Sequence, residues 1–96
     1  MNEQLTPLMQ RCKAIREQLP PGTLLAVRLG DFVEFFNDDA TTVAKVLVIV
    51  ITKRSGQPMA GIPWHAKDKY FQELLKVGHK IALYDGLSNP LKPIDD

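Results

Sequence analysis

The apolar residues in the first part of the chain follow a helical spacing and then a strand spacing. After Thr6-Pro7, they recur at helical intervals, at Leu8, Met9, Cys12, Ile15 and Leu19. Threonine before proline is typical of a helix start, because threonine can cap free N–H groups and proline fits the first helical position. The sequence Pro20-Pro21-Gly22 ends this predicted helix.

Two β-rich segments then predict a hairpin. Residues 23–29 (TLLAVRL) are mostly apolar, as in a strand that is covered on both faces. Gly30-Asp31 is a turn signal, and residues 32–36 (FVEFF) can form the second arm.

The middle of the chain predicts a helix and a central strand. Asn37 or Asp38 can cap the helix, and Asp39 suits its first turn, where the helix dipole favours negative charge. The helix would continue through Ala40, Val43, Ala44 and Leu47. Residues 46–52 (VLVIVIT) include the longest apolar run and predict the central strand, although their start overlaps the helix.

The last part of the chain predicts a loop, a helix and a strand. Residues 53–58 are expected to form a basic, flexible loop, before a short extended piece at 59–62 that Pro63 closes. A third helix over about 65–77 would pack through Tyr70, Phe71, Leu74 and Leu75, with Gly78 as its C-cap, and residues 80–84 (KIALY) would form the last strand. The pattern predicts an α/β (α+β) fold, a mixed β-sheet flanked by about three helices, in one domain over 1–85 with a loosely ordered tail over 86–96.

Composition narrows the classes of function. The chain is 45% hydrophobic and 24% charged, which is ordinary for a globular domain, and its one cysteine excludes an internal disulfide. We see no signal peptide, and the longest apolar run is too short to span a bilayer, so we expect a cytoplasmic protein without a membrane partner. The net charge of +1 does not itself favour nucleic-acid binding.

Catalytic and cofactor motifs are absent from the sequence. Neither GxxxxGK[ST] nor GxGxxG occurs, so nothing supports ATP or dinucleotide binding. His65 and His79 are separated by a whole predicted helix, which argues against a zinc site. We expect no enzyme activity, no catalytic residue, no metal and no cofactor.

Phe32 and Glu34 are the residues with the clearest binding potential. Alternate residues of a strand share a face, so these side chains project the same way about 7 Å apart. A phenylalanine can wedge into a base step, a carboxylate can accept a hydrogen bond from a base edge, and unstacking costs least where pairing is damaged. The alternative is that Phe32 and Phe36 are core residues and Glu34 is a solvated strand position.

Several motifs, in this order and spacing, resemble the N-terminal mismatch-recognition domain (domain I) of the MutS DNA mismatch-repair family. They are LTPLMQ (5–10), RLGDFVEFFNDDA (28–40), ITKR (51–54), PMAGIPWHA (58–66) and the helix end that leads into IALYD. The resemblance implies that Phe32 wedges beside a mispaired or unpaired base, that Glu34 accepts a hydrogen bond from it, and that the DNA bends there. It also implies DNA-backbone contacts around Lys53, Arg54 and Met59, for which solvated charge is the alternative at the basic loop. Val33 departs from the family, which usually has an aromatic residue there.

Two functions remain open at this point. The resemblance implies a DNA mismatch-recognition module whose partner is double-stranded DNA with a mismatch or unpaired base, with mismatch-repair proteins as further candidate partners. The alternative is a stand-alone protein-interaction module with little DNA affinity, which the near-neutral charge and the acidic residues Asp31, Glu34, Asp38 and Asp39 favour. An exposed Phe32 ring flanked by Lys53 and Arg54 would favour DNA, and a ring packed in the core would favour the alternative.

Overall fold

The computed structural model describes residues 5–95. Its elements, in chain order, are helix α1 (Pro7–Arg16), strands β1 (Thr23–Leu29) and β2 (Phe32–Phe36), helix α2 (Asn37–Leu47), strands β3 (Thr52–Arg54) and β4 (Gln57–Pro63), a 3-10 turn (Trp64–Ala66), helix α3 (Lys67–Lys76), and strands β5 (Lys80–Asp85) and β6 (Lys92–Pro93). The predicted fold class, a mixed sheet with three helices, is confirmed.

The six strands of the sheet lie in the order β3-β4-β2-β1-β5-β6. Strands β1 and β2 form the predicted antiparallel hairpin, and β4 pairs antiparallel with both β2 and β3. Strand β1 pairs in parallel with β5, from Thr23 opposite Lys80 to Arg28 opposite Asp85. The centre of the sheet therefore joins the predicted hairpin to the last part of the chain.

Each face of the sheet is covered by helices. Helices α2 and α3 pack on the face that carries Leu24, Ala26, Val33 and Phe35. Helix α1 packs on the opposite face, in a smaller cluster formed by Met9, Cys12, Leu25, Val27, Phe36 and Leu91. Burial raises the pKa of the Cys12 thiol to about 11. No helix among residues 5–95 is both long and apolar enough to cross a membrane.

The first helix begins as predicted, and the second does not. The Thr6 hydroxyl accepts a hydrogen bond from the Met9 N–H at 3.2 Å, and proline occupies the start of α1. At α2 the N-cap is Phe36, which makes no side-chain capping bond, so the prediction of Asn37 or Asp38 as the cap is wrong. The reason is that the helix begins one residue earlier, directly after the strand, with Asn37 at a φ of 57°.

Asp39 does lie in the first turn of α2, and it ties this turn to the sheet. Its carboxylate accepts a hydrogen bond from the Leu25 N–H and one from the Arg16 guanidinium, each at 3.1 Å. Burial raises the pKa of Asp39, while these two partners oppose the rise.

The prediction of a central strand over residues 46–52 is wrong. Helix α2 continues to Leu47 and ends at Val48, whose φ is 55°. Val48 and Val50 are 88% and 84% exposed, so most of this apolar run is surface loop. A run of valine and isoleucine suits a strand, but here the helical spacing of Val43 and Leu47 continues into it and takes its first part.

The expected basic loop over residues 53–58 is also wrong. Lys53 and Arg54 belong to edge strand β3, and only Ser55 and Gly56 form the turn to β4. Both turn residues have positive φ, 51° and 78°, which is typical of a tight two-residue hairpin. The predicted extended piece at 59–62 is confirmed within β4.

The C-terminal part is more ordered in the structure than the sequence indicates. Helix α3 begins at Lys67, two residues later than predicted, because residues 64–66 form the 3-10 turn, and Leu75 is 53% exposed, not packed. In the segment expected to be a loose tail, β6 pairs with β5 and Leu91 is buried in the core. The Asp85 carboxylate closes the intervening turn by accepting hydrogen bonds from the Leu87 N–H at 2.9 Å and the Ser88 hydroxyl at 3.0 Å, which lower its pKa.

Candidate nucleic-acid interface

Phe32 is an exposed aromatic residue at the end of a buried strand. It follows the Gly30-Asp31 turn, where Gly30 has a φ of 63°, and begins β2. The residue is 51% exposed, whereas the other residues of β2 are buried. The ring therefore presents apolar surface to solvent at a fixed point of the sheet, as a wedge requires.

The turn that carries Phe32 is held by Arg28 and by the residue after β4. The Arg28 Nε donates a hydrogen bond to the Gly30 carbonyl at 3.0 Å. The backbone N–H of Trp64 donates to the Asp31 carbonyl at 2.7 Å. The Arg28 guanidinium also lies over the Trp64 ring, 3.7 Å from its centre, which adds a cation–π interaction. These contacts restrain the turn and hence the position of the Phe32 ring.

Glu34 lies on the same face as Phe32, since it is two residues further along β2, but it is not solvated. The residue is 4% exposed. Arg54 donates from Nε to Glu34 Oε1 at 2.5 Å and from Nη2 to Glu34 Oε2 at 2.8 Å. Such a two-point contact is the strongest geometry for an arginine and a carboxylate, and it raises the pKa of Arg54.

Strand β4 lies between the strands that carry Glu34 and Arg54, so the side chain of Arg54 reaches across β4 from the edge strand. Gly61 is directly opposite Glu34 in the register of β2 and β4. A Cβ atom at Gly61 would lie 3.7 Å from Glu34 Cγ and 3.3 Å from Met59 Sδ, so an alanine there would require only a small shift of the flexible Met59 side chain.

The remaining predicted site residues are Lys53, on edge strand β3, and Met59, on the adjacent strand β4. Lys53 is exposed on edge strand β3, opposite Pro58. Met59 is half-buried on β4, where it lies opposite Phe36 and packs against the α1 cluster. The structure thus brings Glu34 and Arg54 into contact across β4, with Phe32 two residues before Glu34 on β2, and leaves Lys53 as an exposed charge at the edge.

The geometry separates the two interpretations of the phenylalanines and the glutamate. Phe36 is in the core, 8% exposed, as the alternative interpretation expects, but Phe32 is not. Glu34 is neither solvated nor directed freely towards a ligand, because Arg54 occupies both carboxylate oxygens. The exposed Phe32 ring favours DNA, but Lys53 and Arg54 do not flank it: along β4, Phe32 is opposite Pro63, whereas Lys53 and Arg54 are opposite Pro58 and Gln57.

The sequence analysis missed Arg28 and Trp64. Arg28 is the one charged residue of an otherwise apolar strand, and Trp64 is the only tryptophan, so both were visible as unusual positions. Their pairing depends on the meeting of the β1–β2 hairpin and the end of β4, which no local pattern indicates. Among residues 5–95, no three histidine, cysteine, aspartate or glutamate side chains are grouped so that they could hold a metal.

Comparison with known proteins gives the chain its family. The family model described as MutS domain I matches residues 6–93. The DNA mismatch repair protein MutS of Thermotoga neapolitana is 50% identical over 88 residues, and that of Fervidobacterium nodosum is 46% identical over 89. The protein of the same name from Ehrlichia ruminantium is 43% identical over 83 residues.

These alignments cover 92%, 93% and 86% of this chain, but only 11%, 11% and 10% of the three relatives. The chain therefore spans about a tenth of the length of the relatives it matches. The match from residue 6 to residue 93 includes the hairpin with Phe32, strands β3 and β4, and strand β6. The resemblance inferred from the motifs is confirmed: the chain belongs to the MutS domain I family.

Proposed function

We propose that this chain is a non-catalytic recognition module that takes part in DNA mismatch repair and binds duplex DNA at a mismatch, an unpaired base or a comparable distortion. Phe32 is the wedge that enters the base stack. The observation that carries the proposal is the 51% exposure of Phe32 on a turn held by two hydrogen bonds and a cation–π contact. The relatives that share this segment are named for mismatch repair, which supports the same role.

A held, exposed ring is suited to discriminating damaged from intact duplex. Insertion of a side chain into a base step costs a few kcal/mol of unstacking, and the cost is least where pairing is already broken. Stacking of a base on an aromatic ring returns about 1–3 kcal/mol. The balance is favourable at a lesion and unfavourable in intact duplex. Because the turn is restrained before binding, little entropy is lost in placing the ring.

The electrostatic contribution to this binding is small. The net charge is +1, and Arg54 is already neutralised by Glu34, which leaves Lys53 as the exposed cation of strand β3. Because few phosphates are neutralised, we expect weak affinity for DNA. This affinity should fall as salt rises. A preference for lesions must then come from the wedge and not from general attraction to DNA.

The test is a titration of the 96-residue chain into labelled duplexes, one with a single mismatch or unpaired base and one fully paired. Fluorescence anisotropy at low and near-physiological salt gives both affinities. We expect tighter binding to the damaged duplex, and loss of this preference in Phe32→Ala. The matched control is Leu75→Ala, because Leu75 is an apolar residue of similar exposure, 53%, on helix α3.

Equal affinities for both duplexes, or no binding at low salt, would contradict the proposal. Such a result would favour the alternative function, a protein-interaction module. The observation that supports this alternative is the apolar loop after α2, in which Val48 and Val50 are 88% and 84% exposed. Val48→Ser and Val50→Ser variants, compared in binding to mismatch-repair proteins, would then be the next measurement.

A further inference from the structure

Glu34 and Arg54 form a pair whose role in DNA binding, given the proposed function, goes beyond the wedge. The side chain of Glu34 is 5% exposed, and that of Arg54 is 43% exposed. Both carboxylate oxygens of Glu34 accept hydrogen bonds from Arg54. In this arrangement the glutamate has no free oxygen on the guanidinium side and almost no surface through which a base could reach it.

We infer that Arg54 is a specificity-determining positioning residue, which keeps Glu34 neutralised and covered until the base edge at a lesion takes the place of the guanidinium at the carboxylate. Binding at a lesion therefore includes the separation of the Glu34–Arg54 pair. Binding to intact duplex does not, because no unpaired base edge is offered there to replace the guanidinium. Separation of the pair is therefore a cost that only binding at a lesion includes, and it lowers the preference for damaged duplex.

The fold provides for this exchange. Arg54 ends a three-residue edge strand whose residues are all exposed, and the Ser55-Gly56 turn follows it directly. Its guanidinium can turn outwards to solvent without crossing the core, since nearly half of the side chain is already exposed. Glu34 is fixed on β2 between two paired strands, and its side chain is only 5% exposed. The arginine is thus the partner that can move.

The pair also limits repulsion from DNA. A carboxylate without its cation repels phosphates, and at short range this repulsion acts on every duplex, intact or damaged. With Arg54 in place, the charge of Glu34 is compensated during the first encounter. Removal of Arg54 should therefore weaken binding to intact duplex more than binding to damaged duplex, because only the damaged duplex gives the freed carboxylate a partner.

The first experiment is a double-mutant cycle on the ratio of affinities for mismatched and paired duplex. In Arg54→Met we expect this ratio to rise about three- to tenfold, the size of one ordinary hydrogen bond gained or lost. In Glu34→Gln the ratio should fall, and in the Glu34→Gln background Arg54→Met should no longer raise it. Lys53→Met is the matched control, since it removes the adjacent exposed charge of the same strand and should weaken both affinities without changing their ratio.

Arg54→Met leaves Glu34 without its partner, so its folding is checked by urea denaturation, and Arg54→Lys is measured beside it as the variant that keeps the charge. A ratio that stays unchanged or falls in Arg54→Met, while the wild-type chain still prefers mismatched duplex, would overturn the inference and leave the proposed function standing.

A second measurement follows the Glu34–Arg54 pair directly in the wild-type chain. The Arg54 Nε–H, which bonds to Glu34 at 2.5 Å, should give a distinct, slowly exchanging NMR signal that is absent in Glu34→Gln. We expect this signal to persist with paired duplex and to be lost with saturating mismatched duplex. Persistence of the signal with both duplexes, while mismatched duplex binds more tightly, overturns the inference and leaves the proposed function standing. Loss of the signal with both duplexes at equal affinity, or no binding of either duplex, contradicts the proposed function and the inference together.

Discussion

Gly86 offers a strict test of how closely the C-terminal part packs on the centre of the sheet. A Cβ atom there would lie 2.5 Å from Leu29 Cδ2, 2.7 Å from the Arg28 carbonyl oxygen and 2.7 Å from Val27 Cγ1. The same Arg28 carbonyl accepts a hydrogen bond from the Gly86 N–H at 2.8 Å, so the backbones are held at this distance. Gly86→Ala must therefore displace either strand β1 or the turn after β5.

The expected cost follows from these contacts. Overpacking a well-packed site costs about 1–3 kcal/mol, and weakening the Gly86 hydrogen bond adds about 1 kcal/mol. The lower entropy of alanine in the unfolded chain returns about 0.4–1 kcal/mol. We expect a net loss of about 2 kcal/mol in the free energy of unfolding. With m-values of about 1–3 kcal/mol/M, the urea midpoint should fall by roughly 0.7–2 M.

Urea denaturation followed by the fluorescence of Trp64, the single tryptophan, measures this change. Gly61→Ala is the control, because its Cβ would come no closer than 3.3 Å to the flexible Met59 sulfur, and it should shift the midpoint little. A Gly86→Ala midpoint within experimental error of wild type would show that the turn after β5 does not lie against β1 as described.

Further predictions concern the thiol, the two phenylalanines and the turn after β5. Cys12 should resist alkylation at pH 8 in the folded chain and react in urea, because it is 6% exposed and burial raises its pKa to about 11. Mass spectrometry measures the alkylation, and fast reaction of the native chain would contradict the prediction. Phe36→Ala should cost about 3–5 kcal/mol of stability and Phe32→Ala about 1 kcal/mol, since Phe36 is buried and Phe32 is half exposed. Equal losses of stability in urea denaturation would refute this difference between the two phenylalanines. Asp85→Asn should destabilise the chain at pH 7, and the difference from wild type should shrink as pH falls below the ordinary carboxyl pKa, because the folded-state pKa of Asp85 is lowered and its contribution is lost as pH falls towards and through that lowered value. A difference that does not shrink in acid would count against it.

Local sequence signals correctly predicted the helix start and the turn that a few neighbouring residues determine. Thr6-Pro7 marked the start of α1, and Gly30-Asp31 marked the hairpin turn, because capping and positive φ are decided within a few residues. Residues 46–52 failed because a β-branched run has the same composition in a buried strand and in an exposed loop. Which of them it becomes depends on whether another segment fills the centre of the sheet, and here β1 does.

The candidate site was predictable only in part, for the same reason. The two-residue period of a strand placed Phe32 and Glu34 on one face. The contact of Glu34 with Arg54 depends on the strand order β3-β4-β2, and no local pattern specifies that order. The resemblance to the family identified the residues, and the structure identified their contact.

The parallel pairing of β1 with β5 has a consequence for how the chain must be assembled during its synthesis. Strand β1 can form its hairpin with β2 as soon as residue 36 is available, but its other edge stays unpaired until residues 80–85 have left the ribosome. An apolar strand with an open edge is a template for pairing with other chains. The domain should therefore become safe from aggregation only near the end of its own translation, and a chain that stops before residue 80 should associate instead of folding.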